Sequence, residues 1–275
     1  MAFFLEHFDW AQYALLLLVG SALAFVEQRW PRRVVIPGRG ARWFVNLGLY
    51  GSGALLLLWL ADPVQQAAVR LGARVGWGGL AATTLPDTLK VLLGVLLVDL
   101  IQYCIHRLSH VVPLLWRLHQ VHHADESLDV TSSVRHHPLE VLALMALTLM
   151  ASAALGLPLL SLMAYALIQL LHTLFCHANL GLPLRLDRAL RRWVVTPDMH
   201  RVHHSVRMDE GNSNFGMVFP WWDSLFRTYR AQPAGGHEAM RLGLAARGDG
   251  GSNNDDLVPT RRAGLLAALR SPFFW

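Results

Sequence analysis

The sequence predicts an all-α protein: a polytopic membrane helical bundle of about four to five membrane helices, with a helical cap on the cytoplasmic side. Three observations predict it. Apolar residues make up 53% of the 275 positions and mean hydropathy is +0.34, both high for a soluble protein. The apolar residues fall in long blocks rather than evenly. Arginines and histidines gather in the short segments between those blocks.

A helix needs about 20 apolar residues to cross a hydrocarbon core, and about 17 suffice. Residues 10–26 and 43–61 qualify. Residues 89–105 qualify with Lys90 at their start and one charge deep inside, Asp99. Residues 141–155 and 157–175 are shorter and meet at Gly156 and Pro158, a tight-turn pair. They form either two crossings or a hairpin that stops short. The first block has no basic leader and no small-residue cleavage site, so it reads as a retained helix rather than a signal peptide.

Orientation follows from arginine asymmetry. The 27–42 loop carries Arg29, Arg32, Arg33, Arg39 and Arg42 and is expected in the cytoplasm. The 62–88 loop balances Arg70 and Arg74 against Asp62 and Asp87 and is expected outside. Every histidine cluster then falls on the cytoplasmic edge of the bilayer. The sequence thus predicts an integral protein of a bacterial inner membrane. The net charge of +5, with Lys90 the only lysine, suits a membrane surface better than nucleic acid at this hydropathy.

Three regions follow: membrane helices and loops over 1–88, a catalytic region over 89–230, and a linker with a short amphipathic helix over 231–275. Within the last, Thr260 is the expected N-cap of a helix over 260–269, and the Pro-Phe-Phe-Trp end is expected at the interface. Cys104 and Cys176 lie in apolar runs and read as buried hydrophobes.

Histidine usage is the anomaly. Twelve of the 14 histidines lie between residues 106 and 204. His106 and His110 continue the third block one helical turn apart and share a face with Asp99 and Gln102. His119, His122 and His123 are spaced i, i+3, i+4. His200, His203 and His204 repeat that spacing within the same string, H-x-V-H-H. Between these come His136-His137-Pro138 and the pair His172 and His177.

A neutral imidazole offers one lone pair and suits Fe, Zn, Cu or Ni. Without metal, such a crowd would repel when protonated and would cost desolvation when buried. One HxxxH arises easily by chance; two HxxHH copies with an HxxxH at one membrane edge do not. The expected ligands are His106, His110, His119, His122, His123, His172, His177, His200, His203 and His204. His136 reads as a neighbour, and His137 as a ligand or a support to one. Asp99 reads as an acceptor for a ligand imidazole N–H. His172 lies about 140° around a helix from His177, so both reach one site only if the helix distorts or ends there. His7 and His237 read as isolated and solvated.

These residues resemble the fatty acid hydroxylase / sterol desaturase superfamily of membrane di-iron enzymes. The matching strings are Asp99 with Tyr103, His106-Arg107 and His110, and His119 with His122-His123. Arg135 with His137-Pro138 and His177-Ala178-Asn179 follow. Then come Thr196-Pro197, His200-Arg201, His203-His204-Ser205, Asn214-Phe215-Gly216, and Trp222-Asp223 with Phe226, Thr228 and Tyr229. They cover roughly residues 95–230. Arg227 is a departure, because many relatives carry Gly there. The resemblance implies two Fe ions, O2 as co-substrate and a lipid or sterol-like substrate. It also implies an external electron donor of cytochrome b5, ferredoxin or flavin reductase type. The chain has no HPGG segment, and Gly38-Arg-Gly40 is no dinucleotide fingerprint, so a partner is expected to supply the electrons.

Alkyl C–H bonds resist acid–base chemistry, so hydroxylation or desaturation needs an oxidant made from O2 and two electrons. Ether-lipid (alkylglycerol-type) cleavage shares the same scaffold. A membrane zinc hydrolase is a rival, but zinc sites use three or four ligands with a carboxylate base, and no HExxH is present. A metal transporter would spread its ligands along a membrane path. Residues 184–195 alternate Arg with Leu, Trp and Val, as an interfacial helix does.

Overall fold

The computed structural model describes residues 8–34, 37–75, 78–244 and 264–273. Those residues are helical or irregular, with no sheet among them. Helix α1 (Phe8–Arg29) contains the whole first apolar block. Helix α2 (Arg39–Val75) contains the second but continues well past residue 61. The connection expected outside therefore begins after Val75, a correction to the 62–88 loop. The stretch beyond Pro63 is rich in Ala, Gln, Leu and Arg, which favour helix. It also has a neighbour to pack on, since Gly72 lies against Ala153.

Helix α3 (Asp87–Val111) and helix α4 (Pro113–His123) are separated by Val112 alone. Pro113 opens α4 where its missing N–H costs nothing. Helix α5 (Pro138–Ala154) and helix α6 (Leu159–His177) form the expected hairpin. At its turn Gly156 has φ +59°, and a Cβ there would meet the Gly79 backbone at 2.9 Å, so only glycine fits. By length and composition α2, α3 and α6 can cross a membrane, whereas α5, at 17 residues, is a shorter apolar helix. The C-terminal ends of α3 and α6 carry His106 and His110, and His177, respectively.

The cap follows in short helices: α7 (Leu184–Leu190), α8 (Pro197–His203), α9 (Met208–Gly211), α10 (Trp221–Leu225) and α11 (Gly236–Ala239). Buried polar contacts fasten the connecting segment 125–135 and Asn179 to the bundle. Glu27 of α1 accepts from Arg39 (2.6 Å) and from the backbone of Val130 (3.0 Å) and Asn179 (3.1 Å). Arg42 of α2 pairs with Asp125 (2.9 Å) and Asp129. Asn46 links Asp125 to Arg135. Taking one partner from such a buried pair leaves an uncompensated charge, which costs about 3–5 kcal/mol.

Helix α12 (Leu265–Arg270) is the described part of the predicted amphipathic helix; Thr260 and the last two residues lie outside the described residues. Its Ala268 packs with Val45, Leu49 and Val121, and Leu265 occupies the hollow over Gly48. Cys176 is buried as expected, but Cys104 is exposed on the flank of α3. His237 is buried 3.6 Å from Asp198, a correction to its solvated reading. His7 lies outside the described residues.

Candidate metal centre

The histidines converge from α3, α4, α6 and α8 into two groups. His106, His110, His119, His123 and His203 form one, and His122, His177, His200 and His204 form the other. Within each group the donor atoms lie within 4.8 Å of one another. The groups touch, for His123 and His204 stack with ring centres 4.4 Å apart. Spacing explains the division. In α4 the i, i+4 pair His119 and His123 serves one group, while His122 turns to the other. In α8 His203 serves the first group, while His200 and the adjoining His204 serve the second.

Most of these rings are aimed by a fixed acceptor at Nδ1. His106 Nδ1 donates to the Phe215 carbonyl (2.9 Å), and His203 Nδ1 to the Ser213 carbonyl (2.8 Å). His110 Nδ1 lies 3.3 Å from Asn212 Oδ1, and His119 Nδ1 donates to Glu140 (2.7 Å). His122 Nδ1 donates to the Arg135 carbonyl (3.2 Å), and His177 Nδ1 to the Thr173 carbonyl (2.8 Å). A carbonyl only accepts, so each of these rings carries its proton at Nδ1 and turns a bare lone pair inward from Nε2.

That tautomer creates a conflict only a cation resolves. His122 and His177 face each other Nε2 to Nε2 at 3.2 Å, and neither atom carries a hydrogen. His177 and His200 approach at 3.0 Å, and His200 and His204 at 3.1 Å, again through Nε2. In the other group His119 and His123 meet through Nε2 at 3.1 Å. The Nε2 atoms of His110 and His203 are buried without a protein partner. Nine convergent imidazoles, six of which turn a lone pair inward, fit transition-metal ions, for which neutral nitrogen is a good ligand. Burial first, and neighbouring imidazoles second, hold His122, His123, His200, His203 and His204 well below the usual histidine pKa. They are therefore neutral and ready to ligate.

Several expectations need correction. His172 stands outside both groups, with Nε2 on the Val195 carbonyl at 2.8 Å. Helix α6 runs unbroken through His177, so the angular offset persists. Asp99 touches no imidazole. It accepts from Tyr165 (2.7 Å), Trp222 (2.8 Å) and the backbone of Val218 (3.1 Å) and Phe219 (3.3 Å). His137 caps α5 through the Leu139 N–H and donates from Nε2 to the Leu269 carbonyl (3.1 Å). It supports a helix terminus and the C-terminal helix, not a ligand.

Sequence reasoning missed Glu140, and it named Asn214-Phe215-Gly216 as a matching string without assigning the 212–216 segment a role. Glu140 accepts from both His119 and His136, and its capping-box spacing from His137 was the available signal. Burial works against charge on His136, but the Glu140 carboxylate at 3.1 Å outweighs it and raises that pKa. His119, His136 and Glu140 also lie close enough to hold a cation. The 212–216 segment supplies acceptors to three ligands of the five-histidine group. Asp223 pins it by accepting from the N–H groups of Phe215 (2.8 Å) and Gly216 (2.9 Å).

Residues 91–228, half of the chain, match the family model described as fatty acid hydroxylase. The chain belongs to the fatty acid hydroxylase family. An ornithine lipid hydroxylase of Rhizobium tropici is 32% identical over 54% of this chain and 44% of its own length. The human alkylglycerol monooxygenase is 30% identical over 49% of this chain and 29% of its own length. The C-4 methylsterol oxidase of Schizosaccharomyces pombe is 27% identical over 62% of this chain and 55% of its own length. These matches span about half or less of the relatives' own lengths. No solved structure matches the chain. Within the matched region lie all nine grouped histidines, Glu140 and Asp223.

Proposed function

We propose that this protein is a membrane di-iron oxygenase that hydroxylates or desaturates a C–H bond of a lipid or sterol-like substrate, using O2 and electrons from an external donor. The observation that carries the reading is the paired set of neutral, opposed imidazoles. Five nitrogens would hold one iron and four the other, leaving room for an exogenous ligand. The two irons, when bound, supply the O2-dependent oxidising power that an alkyl C–H bond requires.

The chain's own residues do the rest. Carbonyls of Phe215, Ser213, Arg135 and Thr173 hold the imidazole protons away from the metal side. Glu140 places a charged acceptor behind His119, a contact that raises the donor strength of a ligand imidazole. Burial of all the grouped rings except the half-buried His110 excludes water from the reaction zone. Imidazole resists the oxidation that would consume a thiolate, and neither cysteine belongs to a group.

The donor set disfavours a zinc hydrolase, which needs three or four ligands. The named activities of the relatives, on an ornithine lipid, an alkylglycerol and a methylsterol, support a lipid substrate in a bilayer. The alkylglycerol monooxygenase match keeps ether cleavage as the second reading. Five arginines between Arg29 and Arg42 support a cytoplasmic site, where a soluble cytochrome b5, ferredoxin or flavin reductase could reach it.

The test is comparative lipid analysis of cells making the wild-type chain or His203→Ala. An oxygen-dependent product in wild type alone supports the reading and names the chemistry. Identical lipids under high expression of both would reject it.

A further inference from the structure

One face of the cap is at once apolar and cationic. Around α7, Leu184, Leu186 and Trp193 are exposed, and beside them α10 exposes Trp221 and Leu225. Trp221 joins the two stretches. Its ring meets Trp193 edge-on at 6.3 Å, and its Nε1 donates to the Arg192 carbonyl (2.8 Å). Arg185, Arg188 and Arg192 are exposed on the same stretch. The nearby acids do not offset them. Asp187 is buried against Arg191 and Thr196, and Asp223 is buried against Phe215, Gly216 and Thr228.

The depth of this face is fixed by Asp99. That residue holds Val218, Phe219 and Trp222, and it precedes His106 by seven positions on α3, about 10 Å along the axis. The loop leading into α10 therefore lies beside a spanning helix, on the bilayer side of the imidazoles. Irregular backbone at such depth must have its N–H groups satisfied by protein, and Asp99 and Asp223 do this for four of them.

We propose that this face docks on the bilayer surface, with Trp193, Trp221 and Leu225 at the headgroup–acyl boundary and Arg185, Arg188 and Arg192 on anionic lipid headgroups. Amphipathic aromatic rings favour that boundary, and arginines near it favour acidic lipids. The inference rests on the membrane part of the proposed function and not on its metal chemistry.

The test uses the full chain in vesicles of phosphatidylcholine or phosphatidylglycerol carrying brominated acyl chains. Tryptophan quenching is compared among wild type, a Trp193→Phe/Trp221→Phe variant and an Arg185→Gln/Arg188→Gln/Arg192→Gln variant. The fluorescence contributed by the two tryptophans, read as the difference from wild type, is expected to be quenched by brominated lipid and shielded from aqueous acrylamide. Brominated phosphatidylglycerol is expected to quench with about threefold higher apparent affinity than phosphatidylcholine, and the arginine variant to lose that preference. Unchanged helical circular dichroism and monodisperse elution show that a variant folds; single Arg→Gln variants replace the triple one if it does not. Acrylamide access with no lipid quenching, the pattern of a surface facing water or a protein, overturns the proposal. So does lipid quenching without a preference for the anionic lipid. Neither readout involves metal or turnover, so a failed metal reading leaves this result intact.

Discussion

The two histidine groups meet the same need through different supports. The four-histidine group leans on one carbonyl of its own helix, Thr173 one turn back on α6, and on that of Arg135, which ends a short 3-10 turn and is tied by its own side chain to the Val121 carbonyl of α4. The five-histidine group leans on a loop, residues 212–216, which Asp223 holds through the N–H groups of Phe215 and Gly216 and which Asn214 ties to Met199, Thr228 and Arg230. A carbonyl within a helix is in place once the helix forms. A carbonyl on a loop is in place only while contacts from elsewhere in the chain, Asp223 among them, hold it. The number of donors differs in the opposite sense, with the loop-supported group holding one to spare.

That asymmetry predicts unequal responses to ligand loss. His177→Ala leaves three imidazoles in its group and is expected to release one ion per chain, with turnover falling more than about 100-fold. His110→Ala leaves four and is expected to keep its ion at saturating iron, with affinity lowered about 10- to 100-fold. Metal analysis before and after dialysis against chelator reads both. Equal losses would break the comparison.

Asp223→Ala sharpens it from the other side. The N–H groups of Phe215 and Gly216 lose their acceptor, so His106 and His203 lose their aim. Affinity is expected to fall about 10- to 100-fold for the five-histidine group alone. Biphasic chelator release, with one phase unchanged from wild type, is the expected record; a uniform acceleration contradicts it.

Proton uptake tests burial in both groups. His122, His123, His200, His203 and His204 have depressed folded pKa values, so the unfolded chain binds protons first as pH drops below about 6.5. Their contribution to stability is present above that pH and is lost as pH falls, by up to about 1.4 kcal/mol per pH unit for each ring. Melting of metal-free protein is expected to shift steadily lower from pH 7 to pH 5. A flat profile would mean that these rings are solvated.

Two smaller effects complete the set. Glu140→Gln keeps the shape but removes the charge behind His119, and a loss of affinity of about tenfold is expected in the five-histidine group, read by competition with a chromophoric chelator. Arg227 has φ +58°, a left-handed conformation that costs a non-glycine residue about 1–2 kcal/mol. Arg227→Gly is expected to raise stability by about 1 kcal/mol in denaturant unfolding.

The grouping of the histidines was legible in part in the sequence because helical spacing alone puts i and i+4 on one face. The helix hairpin was legible because Gly156 and Pro158 interrupt an otherwise continuous apolar run. What aims the ligands was not. Main-chain carbonyls of Phe215, Ser213 and Arg135 have no sequence signature, since any residue carries one. Asp99 was noticed for the right reason, a charge inside an apolar helix, yet given the wrong partner. Its true contacts are Tyr165, 66 positions later, and residues about 120 positions later, separations that no local pattern encodes. His172 misled because a histidine in a membrane helix suggests function, whereas a carbonyl at Val195 satisfies it.

Elemental analysis of the purified full chain tests the central claim most directly. Two irons per wild-type chain, falling to about one in His177→Ala, is the predicted result. Protein that carries out an O2-dependent lipid conversion while containing no iron, or only zinc, would contradict it.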